Sequence, residues 1–251
     1  MSDIVLSAGV RSNLLQLQQT SDLITQTQNR LATGKRVNSA LDNPINYFTA
    51  QNLSSRANDL NSLLDSMSTA INTIQAANNG ISAITKLVQS AQSIVTQAQQ
   101  TTDTTIRATL ASQFDSIRSQ IDQLAQDAGI NGVNLLNGNT LTVTMNESAT
   151  STVTVTGVTD LSAASTQLTE ALTTLRSQSQ ALSSNLQTVQ VRQDFTKAMI
   201  NTLQTGADNL TLADSNEEGA NLLALQTRQQ LSTTALSLAA QADQNVLRLF
   251  Q

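Results

Sequence analysis

RLATGKRVNSALDNPINYFTAQNLSSR, residues 30–56, is the one sharp interruption in the N-terminal half of the chain. It holds the only proline, Pro44, and four cations, Arg30, Lys35, Arg36 and Arg56. Thr33-Gly34 ends a helix, because glycine enters the left-handed conformation without steric cost. Asn43-Pro44 restarts one: the Asn43 side chain can accept from orphan N–H groups, and Pro44 suits the first helical position. Asp42 beside Asn43 also reads as a cap. The stretch is thus a non-helical joint between helices. On spacing alone, an ordinary interhelical loop with a solvated basic face is the favoured reading.

Outward from the joint, the pattern is helical on both sides. Asp3 to Thr33 carries Val10, Leu14, Leu17, Ser21, Ile24, Gln28 and Leu31 at alternating steps of four and three, the seam of a coiled coil that tolerates polar residues. From Pro44 to about Gln100, Leu53, Ala57, Leu60, Leu64, Met67, Ile71 and Ile74 form one stripe. Ala77, Ile81, Ile84, Val88, Ala91, Val95 and Ala98 continue it, with a phase step and a possible kink at Asn78-Asn79-Gly80. At 1.5 Å per residue this rod is on the order of 80 Å long. Asp103-Thr104 starts a further helix to Ala128, with Ile106, Leu110, Ile117, Ile121 and Leu124 inward.

The period then changes to two. Asn131-Gly132 and Asn137-Gly138 are turns, and Thr140–Met145 with Thr152–Thr156 make a hairpin whose threonines share a wet face. Helix returns after Asp160-Leu161-Ser162. Its seam runs unbroken through Leu168, Leu172, Leu175, Ser179, Leu182, Leu186, Val189, Gln193, Thr196, Ile200, Leu203, Ala207 and Leu210. Ser215 with Glu218 reads as a capping box for the last helix. That helix carries two stripes: Leu222, Leu225, Leu236, Ala239, Val246 and Phe250, and Leu231, Ala235, Leu238, Ala242 and Leu249. Two stripes imply contact with more than one neighbour. The expected fold is mainly α, an elongated antiparallel helical bundle with paired N- and C-terminal helices and a small β-hairpin at the far end.

Composition narrows the chemistry. The chain of 251 residues has no Cys and no His, which removes disulfides, thiolate nucleophiles, the usual zinc sites and the commonest general base. Aromatic content of 2% and net charge −5 oppose a nucleic-acid grip. Charge is uneven: between Gln99 and Glu170 seven acids face only Arg107 and Arg118. No apolar run approaches the roughly 20 residues of a membrane span. Ile4-Val5-Leu6 is too short for a signal-peptide core. Asp214, Glu217 and Glu218 cluster, but first-turn carboxylates complement the helix dipole. Gly129-Ile-Asn-Gly132 lacks the lysine of a phosphate loop. No catalytic, cofactor or metal set emerges.

Arg30-Leu-Ala-Thr-Gly-Lys-Arg-Val-Asn-Ser-Ala40 with Asp42-Asn43-Pro44 resembles the N-terminal motif of bacterial flagellins, the subunits of flagellar filaments. Asn131-Gly132-Val133 with Leu135-Leu136, Ala213-Asp214-Ser215 with Glu217, and the ending Val246-Leu-Arg-Leu-Phe250 are similar to further family features. The likeness extends over the whole chain. It implies an inner coiled coil from 1–33 and 211–251, a linker at 34–45, two bundle helices in 46–128, hairpin and turns at 129–162, and a third bundle helix at 163–210. Leu14, Leu17, Ile24, Leu31, Leu222, Leu225, Leu236, Val246 and Phe250 would build the inner coil. Arg30, Gly34, Lys35, Arg36, Asn38, Asp42, Asn43 and Pro44 would serve the linker and inter-subunit contacts. Only about 30 residues separate Gly129 from Ser162, so this is a short form without large outer domains.

The resemblance also implies a homopolymer outside the cell, in the bacterial flagellum, for motility. The chain would be exported unfolded through the type III apparatus without a cleaved signal peptide. An export chaperone, a filament cap and hook-associated proteins would be its partners. In the stretch of Gln89, Ser90, Gln92 and Ser93, the last three stand where flagellins sensed by the animal Toll-like receptor carry charges, which implies weak or no activation of that receptor. Two other readings are a hook–filament junction protein and a secreted coiled-coil binding or adhesion module.

Overall fold

Apolar residues at helical spacing with little to break them give five helices and one hairpin among the described residues. The computed structural model describes residues 8–156 and 168–249. The helices are α1 (Ala8–Thr33), α2 (Pro44–Gln100), α3 (Thr104–Asp127), α4 (Leu168–Thr211) and α5 (Ser215–Leu249); the strands are β1 (Thr140–Thr144) and β2 (Thr152–Thr156). Expectations for residues 3–7, for the restart at Asp160–Ser162, for 163–167 and for Phe250 lie outside the described residues. So do the side chains of Val246 and Leu249. The chain divides into two compact units, Met1–Ser54 with Gln204–Gln251, and Ser55–Leu203.

The second unit holds the main core. Met67, Ile74, Ile84 and Val88 of α2, Leu135 of the loop, Val155 of β2, and Leu175 and Val189 of α4 are its fully buried large side chains. Each contributes about 1.5–3 kcal/mol by leaving water. Every residue of the α2 and α4 stripes expected from the heptads is buried or half-buried. Ser179, a polar member of the α4 stripe, is used rather than merely tolerated. Asn78 donates from Nδ2 to Ser183 Oγ and accepts at Oδ1 from Ser179 Oγ, a polar tie between α2 and α4.

Asp103 caps α3, its Oδ1 accepting from the N–H groups of Thr105 and Ile106. Leu110, Ile117, Ile121 and Leu124 turn inward, but Ile106 is 50% exposed. One turn into α3, no described residue covers it. Asn78-Asn79-Gly80 does not interrupt α2, which runs on through it. Gly80 is required for packing instead: a Cβ there would lie 2.8 Å from both Ala128 Cβ and Leu136 Cδ1. The loop that presses on it is self-braced. Asn131 and Gly132 have φ of 51° and 79°, and Ile130 and Val133 exchange both backbone hydrogen bonds at 3.0 Å, a two-residue turn. Asn134 Nδ2 donates to the carbonyls of Ala125 and Gln126, closing the C-terminus of α3.

In the hairpin, Thr140, Thr142 and Thr144 stand opposite Thr156, Thr154 and Thr152 on the outer face, while Val143 and Val155 enter the core. The connecting loop is ordered by Asn146, whose Nδ2 donates to Ser148 Oγ and Thr150 Oγ1. Glu147 pairs with Arg56 of α2, so the hairpin runs back along that helix toward its early turns. The bond to its own N–H is the largest influence on the Glu147 carboxyl; burial opposes it, and Arg56 adds to it, so the pKa lies below the ordinary value.

Gly80→Ala should overpack the contact with Ala128 and Leu136 and cost about 1–3 kcal/mol in urea unfolding. Ala149 holds φ 53° in the hairpin loop, so Ala149→Gly should stabilise by roughly 1 kcal/mol in the same measurement.

Candidate functional site: the joint and the terminal coil

The joint begins where α1 runs out at Gly34, whose φ is 66°. Beyond it the backbone is stitched to the other reversal of the chain, between α4 and α5. The N–H groups of Arg36 and Val37 donate to Thr211 O at 2.7 and 3.2 Å, and Ala213 N–H donates to Gly34 O at 3.0 Å. Lys35 and Leu212 pair antiparallel between them. Val37 is the apolar anchor, 4% exposed, whereas the Lys35 and Arg36 side chains are exposed. Sequence reasoning named the basic residues and passed over Val37; an isolated apolar residue between Arg and Asn carries no periodic signal.

Asn43 and Pro44 act as expected. Asn43 Oδ1 accepts from Asn46 N–H at 3.0 Å, and Pro44 is the first residue of α2. Asp42 caps something else: its Oδ2 accepts from the N–H groups of Asn38 and Ser39, each at 3.0 Å, and from Ser39 Oγ. Those backbone bonds, Ser39 first and then Asn38, hold the Asp42 carboxyl below its ordinary value of 3.8. Asn38 Nδ2 in turn donates to Lys35 O. A polar recess of about 390 Å³ opens here, lined by Gln26, Asn29, Arg30, Thr33, Asn38, Ser39 and Asp42.

Arg30 does not face outward as a free linker cation. Its Nη1 donates to Glu218 Oε1 at 3.1 Å, and the Glu218 side chain is 8% exposed. Arg30 lies in the last turn of α1 and Glu218 in the first turn of α5, so each charge sits at the helix end whose dipole favours it. The capping box expected of Ser215 and Glu218 is absent. Asp214 caps α5, its Oδ1 accepting from the N–H groups of Asn216 and Glu217, which releases Glu218 for Arg30.

Along the α1–α5 contact the face of α1 is Val10, Asn13, Leu17, Thr20, Ile24, Thr27 and Leu31. The expected anchors at 10, 17, 24 and 31 hold, but the alternate positions shift by one. Thr20 and Thr27 are buried, Ser21 and Gln28 are exposed, and Leu14 is 38% exposed. A threonine suits this seam because its hydroxyl can return to its own helix, as Thr20 Oγ1 does to Gln16 O at 2.8 Å. The face of α5 is Glu218, Leu222, Leu225, Gln229, Ser232, Leu236 and Ala239. Its second stripe, Leu231, Ala235, Leu238 and Ala242, is exposed, and so is Leu223. On α2, Gln89, Ser90, Gln92 and Ser93 are exposed and uncharged. Among the described residues no cluster of His, Cys, Asp or Glu could hold a metal ion, and no helix is long and apolar enough to cross a membrane.

A stitched pair of chain reversals and a terminal coil with a bare apolar stripe define a helical structural subunit. The family profile for the bacterial flagellin N-terminal helical region matches residues 8–141. Flagellin FljK of Caulobacter vibrioides is 33% identical over 271 residues, covering 100% of this chain and 99% of that protein. Flagellin FljN of the same organism is 32% identical over the same spans. Flagellin A of Rhizobium meliloti is 47% identical over 58 residues, 23% of this chain and 15% of that protein. The chain belongs to the bacterial flagellin family, and it is a structural subunit of the filament-forming kind.

Removing one partner of the Arg30–Glu218 pair by Glu218→Leu should cost roughly 3 kcal/mol of the first unit's stability, and adding Arg30→Met should recover most of it. Urea unfolding followed by helicity reads both. The Asp42 contribution is present above the ordinary carboxylate range and is lost as pH falls through its lowered value. The stability difference between the wild type and Asp42→Asn should therefore be full at neutral pH and close in acid, as a pH series of thermal melts would record.

Proposed function

We propose that this flagellin polymerises through its terminal coil, with the joint as the link to the remaining helices and as a contact point between subunits. The observation that carries the reading is the bare stripe of α5. Leu223, Leu231 and Leu238 are 67%, 67% and 62% exposed on a helix whose opposite face packs on α1. Covering each with a second copy would contribute about 1.5–3 kcal/mol. A heterologous contact of this kind, repeated with a rise, generates an open helical filament. Leu41, Ile45 and Phe48, 96%, 77% and 57% exposed beside the joint, add apolar area to the same association. Lys35, Arg36 and Asn38, at or beside the polar recess, meet polar groups of neighbouring copies. In this division of labour 1–33 and 211–251 form the inner coil, 34–45 the linker, and 46–128 with 163–210 the bundle.

We infer the finer partners from the family likeness. The subunit leaves the cell unfolded through the type III apparatus, escorted by a chaperone on its C-terminal helix. It then adds beneath a filament cap on hook-associated proteins. The exposed, uncharged Gln89, Ser90, Gln92 and Ser93 support weak or no activation of the animal receptor, which a cell reporter dosed with purified monomer would test. A strong response overturns that part.

Deleting about ten residues from either end should abolish seeded polymerisation while the second unit keeps its helicity, as electron microscopy and circular dichroism would read. Truncated chains that still form long tubes would remove the coil from the assembly mechanism. Arg36→Ala with Asn38→Ala should impair polymerisation far more than monomer stability. Short plugs instead of long tubes would favour the junction-protein reading, and a persistent monomer the adhesion module.

A further inference from the structure

Three Asn-Gly pairs occur in the chain, and the fold treats them differently. Asn79-Gly80 lies inside α2, where the Gly80 N–H belongs to the helix ladder and the residue is buried against Ala128 and Leu136. Asn131-Gly132 and Asn137-Gly138 lie in the loop between α3 and β1. Asn131, Gly132, Asn137 and Gly138 are all exposed, and both glycines have φ of 79°. Neither the Asn131 nor the Asn137 side-chain amide has a hydrogen-bond partner among the described residues, and neither Gly132 nor Gly138 N–H donates to another group of the loop. A Cβ at Gly132 would meet nothing within 4 Å, so no neighbour hinders approach along the backbone there.

We propose that Asn131 and Asn137 are sites of spontaneous deamidation, and that Asn79 is protected from it by the fold. The amide nitrogen of the following glycine attacks Cγ of the asparagine. The new N–C bond closes a five-membered succinimide, the Cγ–Nδ2 bond breaks, and the departing nitrogen takes the glycine proton to leave as ammonia. One water then opens the ring at either carbonyl, giving an aspartyl or an isoaspartyl residue. Glycine matters because it has no side chain to obstruct the attack and its backbone reaches the required conformation without strain. At Gly80 the same attack needs the helix to open and the contact with Ala128 and Leu136 to separate.

The consequences differ by site. The isoaspartyl product puts one extra methylene into the main chain. At position 131 that lies within a two-residue turn fixed by mutual bonds between Ile130 and Val133. Asn134 is seated between the two reactive positions, and its side chain closes α3 through Ala125 and Gln126. Reaction at either site also adds a negative charge to the acidic middle of the chain. The loop is therefore a place where the age of a subunit is written into its covalent structure.

The test incubates the purified full chain as soluble monomer at mildly alkaline pH, with time points digested and mapped by mass spectrometry. A synthetic peptide of residues 127–141 serves as the unfolded reference. Asn131 and Asn137 should convert within about tenfold of their rates in the peptide. Asn79 should be at least about a hundredfold slower than either, equivalent to roughly 2.7 kcal/mol of opening. Gly132→Ala and Gly138→Ala should each slow their own site alone, with circular dichroism checking that the fold persists. Conversion at Asn79 as fast as in the loop, or no conversion at either loop site while the peptide reacts, overturns the proposal.

Discussion

Three backbone hydrogen bonds between Gly34–Val37 and Thr211–Ala213 hold the two reversals of the first unit side by side. Everything else in that unit depends on them. They fix where α1 ends relative to where α5 begins, and so decide which residues of the two helices face one another. Backbone groups are well suited to the task, because they are present whatever the side chains and are costly to leave unpaired when buried. The Arg30–Glu218 pair then sits one turn from the stitch and marks the same register with charge. Asp42 stiffens the other side of the joint through the backbone of Asn38 and Ser39.

The terminal coil is held by modest forces. Its seam mixes Leu and Ile with Thr, Asn, Gln and Ser, and few of its α5 members are deeply buried. Such a seam gives antiparallel pairing and register without a large apolar gain. The surplus of apolar surface lies on the outside of the same helices, on Leu15, Leu23, Leu223, Leu231 and Leu238. A coil that is weak inside and apolar outside fits a protein whose final packing involves other copies of itself. The second unit follows the opposite rule, with large aliphatic side chains fully buried and the polar seam residue Ser179 satisfied within the chain by Asn78.

Much of this was legible in the sequence. The strict alternation of fours and threes located the inward faces of α2 and α4, because long helices packed along one another bury a stripe of constant phase. Asn43-Pro44 and Asp103 announced their helix starts through local chemistry, and the threonine alternation announced the wet face of the hairpin. The misreadings share a cause. Ser21 and Gln28 were placed in the seam of α1 because Leu14 suggested the wrong phase. With anchors only at 10, 17, 24 and 31, the later alternates, Thr20 or Ser21 and Thr27 or Gln28, are polar on either side and do not correct it. Ser215–Glu218 matched a capping box, but Asp214 next to it was the better acceptor and Glu218 had a distant partner.

The sequence by itself determined the helical class, the joint, the hairpin and the family, since periodicity, caps and turn residues act through neighbours a few positions away. Only the tertiary structure decided that Arg30 meets Glu218, that Val37 anchors the joint, that Gly80 serves packing rather than bending, and that one stripe of α5 stays bare. Each of those depends on groups brought together from far along the chain, and no local pattern encodes which distant surface arrives.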